Sequence, residues 1–135
     1  MPAASVGDSA TGTLAATTEA IEAFAALTGD DNPLHVDDDY AADGPFGGRV
    51  AHGMLTAGAI SAALADLPGD VVYVSQDLSF LAPVEPGETV IAEVEVVEHV
   101  EGDRLRVATT ASAGGEQVID GEAVVLSVPH GTGDD

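Results

Sequence analysis

The sequence predicts an α+β domain in which a curved antiparallel β-sheet wraps around one central buried α-helix. Three observations predict it. Residues 51–67, "AHGMLTAGAISAALADL", are apolar around almost the whole circumference of a helix, and such a helix must be covered on most sides. Four runs of strand-like composition follow it, separated by turn residues. Consecutive strands joined by tight turns pair antiparallel, and a sheet curled around a slim helix buries both. The 135 residues, 45% of them apolar, suit one such domain, and no internal repeat or second domain is visible.

Each element has its own signal. Residues 1–10 are small and polar and are expected to fray. Residues 11–17 read as a short strand. Thr18 is expected to N-cap a helix over 19–28, with Glu19 and Glu22 near its positive end. Ile21, Phe24, Ala25 and Thr28 fall on one face, and Gly29 is placed to stop the helix in a left-handed conformation. Residues 30–50 are loop-like, rich in Asp, Gly and Pro, with a turn of helix expected at 37–42. A loop this long within a compact domain is more often functional than idle. In the central helix, Gly53, Ala57, Gly58 and Ala62 keep the surface slim enough for other backbone to approach. "LPGD", 67–70, ends it. Residues 71–81 form the next strand. In 89–97, Val90, Ala92, Val94 and Val96 alternate with Glu93 and Glu95. A hairpin turns at Gly102-Asp103; Leu105, Val107 and Thr109 then alternate against Arg104, Arg106 and Ala108. A turn over 113–116 leads into a last strand, 117–128. The core is therefore expected over about 11–128, with a disordered tail at 129–135.

Composition removes several classes of function. There are 24 acidic residues against three arginines (Arg49, Arg104 and Arg106) and no lysine, for a net charge of −21. That field repels phosphate backbones, which argues against nucleic acid. No cysteine is present, so disulfides, thiolate metal sites and a cysteine nucleophile are ruled out, as suits a reducing cytoplasm. No run approaches the roughly 20 apolar residues of a membrane helix, and the N-terminal stretch lacks the features of a secretion signal. An acidic, lysine-free surface suits a salt-loaded cytoplasm: at ~1 M salt the Debye length is only about 3 Å, so self-repulsion is screened. A halophilic source is the expectation.

Two stretches carry chemistry. In "TGDDNPLH", residues 28–35, Asp30 and His35 lie five residues apart across a turn stiffened by Asn32-Pro33. Spacing alone leaves two readings. The turn either closes a helix with a solvated Asp and a capping His, or it aims a carboxylate and an imidazole at one water as an acid/base pair. In "AHGM", His52 and Gly53 open the central helix, where backbone N–H groups are unpaired and the dipole is positive. The Gly53 amide can hold a carbonyl oxygen that gains charge; equally, Gly53 can serve close packing alone. His35, His52 and the aspartates could ligate a divalent ion, but no H-x-x-x-H or H-x-H pair is present and no functional metal is expected. G-x-S-x-G, P-loop and G-x-G-x-x-G motifs are absent.

Phe24, Leu27, Thr28, Gly29, Asp30, Asn32, Pro33, Leu34, His35 and Asp37, together with "GRVAHGML" (48–55) and "DLSFLAPVEPGE" (77–88), fall at the spacing of a known pattern. Over about 11–128 the chain resembles the MaoC-like (R)-specific enoyl-CoA hydratases/dehydratases of the hot-dog fold. The resemblance implies that Asp30 and His35 are the catalytic pair. They would activate a water that adds to C3 of a trans-2-enoyl thioester while a proton reaches C2 from the same face. The Gly53 amide would hold the thioester oxygen. Asn32 would hold the loop or the water, and Ser61 would support the pocket. His52 and Arg49 would support the substrate, Arg49 being the cation nearest to coenzyme A. No cofactor is needed. A homodimer or higher homo-oligomer is implied, with substrate tunnels near the interface. The acidity of the chain favours a CoA ester over an acidic acyl carrier protein as donor. Two other readings use the same fold. A thioesterase would carry its carboxylate on the central helix, which has no acid between Ala51 and Ala65. A non-catalytic acyl-CoA-binding or assembly subunit would be signalled by loss of Asp30 or His35, and both are present.

Overall fold

A computed structural model describes residues 2–130. The chain runs β1 (Ser9–Ala15), α1 (Thr18–Thr28), α2 (Pro33–Val36), α3 (Asp38–Ala42), α4 (Gly53–Ala65), β2 (Asp70–Phe80), β3 (Thr89–Glu101), β4 (Arg104–Ala113) and β5 (Glu116–Val128). The strands form one antiparallel sheet in the order β1-β3-β4-β5-β2. β3, β4 and β5 are a meander; β1 closes one side and β2 the other. The curved sheet around α4 is the hot-dog fold.

Alternation orients the sheet toward the helix. Val90, Ala92, Val94 and Val96 of β3 are buried, while Ile91, Glu93 and Glu95 face out. Leu105, Val107, Thr109 and Ala111 do the same in β4. Against this face α4 buries Thr56, Ala57, Ala59, Ile60, Ala63 and Leu64. β1 approaches the helix so closely that a Cβ on Gly12 would lie 2.5 Å from the Ala59 carbonyl oxygen and 2.8 Å from the Ala63 nitrogen. Small residues on both elements permit this contact, as expected for a slim helix: Gly12 meets Ala59 and Ala63, and Gly58 lies against Leu14 of β1.

Several boundaries differ from expectation. Thr17, not Thr18, caps α1: its Oγ1 accepts the Ala20 N–H at 3.0 Å. α4 begins at Gly53, with His52 as its N-cap. β3 runs on to Glu101 because two register shifts, at Val96/Glu98 and His99/Glu101, let it stay paired with β4 beyond residue 97. The segment before β1 is pinned, where fraying was expected. Ala3 and Ala4 donate their N–H groups to the Ser127 carbonyl and Oγ, Ala4 is buried, and Gly7 donates to the Val96 carbonyl. Their smallness, read as a sign of fraying, lets them fit between the ends of β5 and β3. Gly29 adopts φ 83° and closes α1 as expected. Of the tail, Pro129 and His130 are described, with His130 Nδ1 3.1 Å from Asp70; residues 131–135 and Met1 lie outside the described residues.

Candidate active site

The turn after α1 is built by its own side chains. Thr28 Oγ1 donates to the Phe24 carbonyl at 2.7 Å and accepts the Asp30 N–H at 3.2 Å. Asn32 has φ −51° and ψ 129°, the extended geometry favoured before proline. Its Oδ1 accepts the Leu34 N–H and so caps α2, with Pro33 in the first turn where its missing N–H costs nothing. Asp37 caps α3 in the same way through Tyr40. These caps fix the path of the chain between Asp30 and His35.

At the start of α4, His52 completes the arrangement. It is buried, and its Nε2 lies 2.9 Å from the Asp30 carbonyl oxygen. A carbonyl only accepts, so Nε2 carries the proton. The His35 ring stacks on the His52 ring, with centroids 4.0 Å apart and 28° between planes, and Phe24 packs on His52 from 4.7 Å. His35 Nδ1 lies 2.8 Å from the Val50 carbonyl oxygen, which makes Nδ1 the protonated nitrogen and leaves Nε2 with a free lone pair. Donor atoms of Asp30, His35 and His52 all lie within 4.8 Å of one another. Stacked imidazoles aim their lone pairs in nearly parallel planes, which suits proton handling better than convergence on one metal ion.

Asp30, His35, His52 and Gly53 line one cavity of about 590 Å³, walled by apolar residues including Leu34, Phe46, Met54, Phe80, Leu81 and Val84. That size is ordinary for a small-molecule site. Gly53 is the first residue of α4, where an N–H has no helical partner. A Cβ there would stand 2.8 Å from the ring of Phe80, a half-exposed side chain.

The other sequence-predicted residues are placed differently. Asn32 shapes the turn from outside the cavity lining. Ser61 is exposed on another face of α4, in a separate depression of about 200 Å³ with Tyr73 and Gln76. Arg49 does not line the cavity; its Nη1 meets Glu22 at 3.2 Å and its Nε lies 2.9 Å from Asp38. Sequence reasoning missed the Val50 carbonyl, which no residue type announces. It also missed Thr56, buried on the cavity wall with its hydroxyl donating to the Gly53 carbonyl at 2.6 Å. A threonine one turn into a largely apolar helix was the available signal. Phe46 and Phe80 are likewise additions.

The fold and this cavity define a hot-dog protein that holds a carboxylate, an imidazole and a helix-terminal amide at one apolar site. Residues 4–117 match the family described as "MaoC like domain", and the chain belongs to that family. It is 53% identical over 105 residues to a 3-hydroxybutyryl-CoA dehydratase of Methylorubrum extorquens, covering 76% of this chain and 67% of that protein. It is 48% identical over 111 residues to an (R)-specific enoyl-CoA hydratase of Rhodospirillum rubrum, covering 80% and 77%. Among solved structures, the unliganded R-hydratase of Pseudomonas aeruginosa superposes with a TM-score of 0.86 at 38% identity, covering 96% of this chain and 88% of that one. The protein is accordingly an enzyme of the hydro-lyase class.

Proposed function

We propose that the protein hydrates trans-2-enoyl-CoA to (R)-3-hydroxyacyl-CoA and catalyses the reverse dehydration. The observation that carries this reading is the gathering of Asp30, His35 and Gly53 on one apolar cavity. One water between the Asp30 carboxylate and His35 Nε2 attacks C3. Its proton passes to the pair, and a proton is delivered from the pair to C2 on the same face. The thioester oxygen gains enolate character meanwhile, and the Gly53 N–H at the positive end of α4 stabilises it. The Val50 carbonyl fixes the His35 tautomer, and His52 fixes the Asp30 backbone. Atoms balance without a redox or metal step, so the reaction needs no cofactor.

Assembly belongs to the same reading. β2 is an edge strand that exposes Val72, Tyr73 and Val74, and Met54 on α4 is 61% exposed. An edge of this length and apolarity needs a cover, and we assign it to a second copy of the chain. The acidic, cysteine-free composition supports a salt-adapted cytoplasmic setting, and among the described residues no helix is long and apolar enough to cross a membrane.

The test is loss of enoyl absorbance with crotonyl-CoA, followed by chiral analysis of the product. The wild type should give the (R)-alcohol, and Asp30→Asn should lose at least about 10²-fold in kcat. Release of free CoA instead would support thioester hydrolysis, and binding without turnover would support a non-catalytic subunit.

A further inference from the structure

We infer that Arg49 is a positioning residue for His35 rather than a ligand of the coenzyme A phosphates; the inference rests on the hydratase reading. Arg49 directly precedes Val50, which lines the cavity, and its side chain is only 12% exposed. Its guanidinium spans two carboxylates from different elements. Nη1 donates to Glu22 of α1 at 3.2 Å, and Nε lies 2.9 Å from Asp38 of α3, an ion pair without a hydrogen bond. Those helices bracket the turn that carries Asp30 and His35.

The backbone beside Arg49 makes the link to chemistry. The next residue, Val50, supplies the carbonyl that receives His35 Nδ1–H at 2.8 Å. The Val50 N–H reaches back to the Leu34 carbonyl at 3.4 Å, and the Ala51 N–H donates to the Val84 carbonyl at 2.8 Å. Segment 49–51 is thus held by the sheet-side loop on one flank and by α2 on the other. Arg49 straps it to α1 and α3. If the strap is cut, the Val50 carbonyl loses its fixed aim, and with it the bond that keeps the proton on Nδ1 and the lone pair on Nε2. A guanidinium already paired with two carboxylates and absent from the cavity lining is poorly placed to meet a third anion.

The experiment compares wild type, Arg49→Gln and Arg49→Lys on crotonyl-CoA and on crotonyl-pantetheine, which lacks the nucleotide phosphates, and reads the His35 tautomer by 15N NMR. The strap predicts that kcat of Arg49→Gln falls roughly tenfold or more on both esters alike, since displacement of about 1 Å at a catalytic group can cost about 10²-fold. KM should hold for both, and the Nδ1–H population of His35 should drop. Arg49→Lys should recover only part of the rate, because one ammonium cannot bridge both carboxylates as a guanidinium fork does. A loss confined to the CoA ester and expressed in KM would overturn the inference in favour of phosphate binding, and unchanged kcat with an unchanged tautomer would overturn it outright. If Arg49→Gln does not fold, Glu22→Gln and Asp38→Asn cut the strap one arm at a time and should each show a smaller kcat loss; no loss in either counts against it. A wild type inactive on both esters would defeat the hydratase reading, and the tautomer spectra would still decide the role of Arg49.

Discussion

At the scale of single residues, the site depends on which atom carries a proton and which position tolerates a methyl group. The two histidines donate one N–H each to backbone carbonyls. This is why His35 presents Nε2, and why His52, with no side-chain capping bond of its own, still occupies the helix start. Gly53 combines two features: its N–H stands at the start of α4, where it has no helical partner, and a Cβ there would press on the half-exposed Phe80 ring. Gly53→Ala should push aside the Phe80 ring, which is 50% exposed and can turn, and so should cost only about 1 kcal/mol, the low end for overpacking; Phe80→Leu should recover part of that loss. Thermal unfolding of the two single variants and the double variant checks this. A Gly53→Ala protein that melts with the wild type would remove the contact from the account.

Among elements, the short helices α2 and α3 exist because Asn32 and Asp37 cap them, and together they deliver His35 opposite α4. The pairing of β1 with α4 is equally specific. Gly12→Ala would press a methyl group into the Ala59–Ala63 backbone and should cost about 1–3 kcal/mol, seen as a lower melting temperature. An unchanged melt would show that β1 can lift away freely. Much of this level was legible beforehand. Period-two alternation identified β3 and β4, and the all-apolar helix identified α4 as central. The turn motif located Asp30 and His35. What escaped was contact between distant backbone: the Val50 carbonyl, the bulges that lengthen β3, and the seat that Ser127 gives Ala3 and Ala4. Such contacts arise from tertiary fit and leave no periodicity or residue type to read. Ser61 and Arg49 lie elsewhere than the resemblance implied: Ser61 is exposed in a separate depression on α4, and Arg49 is paired with Glu22 and Asp38.

For the molecule as a whole, charge is the dominant fact. Against a net charge of −21, Arg49 is bound to Glu22 and Asp38, and Arg106 to Glu98 and Glu122. Glu98 above all, with Glu122, raises the pKa of the Arg106 guanidinium further above its ordinary value. No arginine lines the cavity. An anionic CoA ester would therefore approach a surface of strongly negative net charge, and added salt should screen that repulsion. KM for crotonyl-CoA should fall as KCl rises from low to molar concentration; a steady rise would contradict this. The exposed β2 edge leads to a second expectation at this scale. Light scattering at micromolar concentration should report at least a dimer, and a monomer would leave the edge unexplained.

The central claim is that Asp30 and His35 work as one unit on a single water. It is tested most directly by a double-mutant cycle on kcat for crotonyl-CoA hydration, using Asp30→Asn, His35→Ala and the pair. Groups acting together should each cost at least about 10²-fold, and the double variant should lose little more than either single one. Losses that multiply would show two residues acting separately and would contradict the shared water.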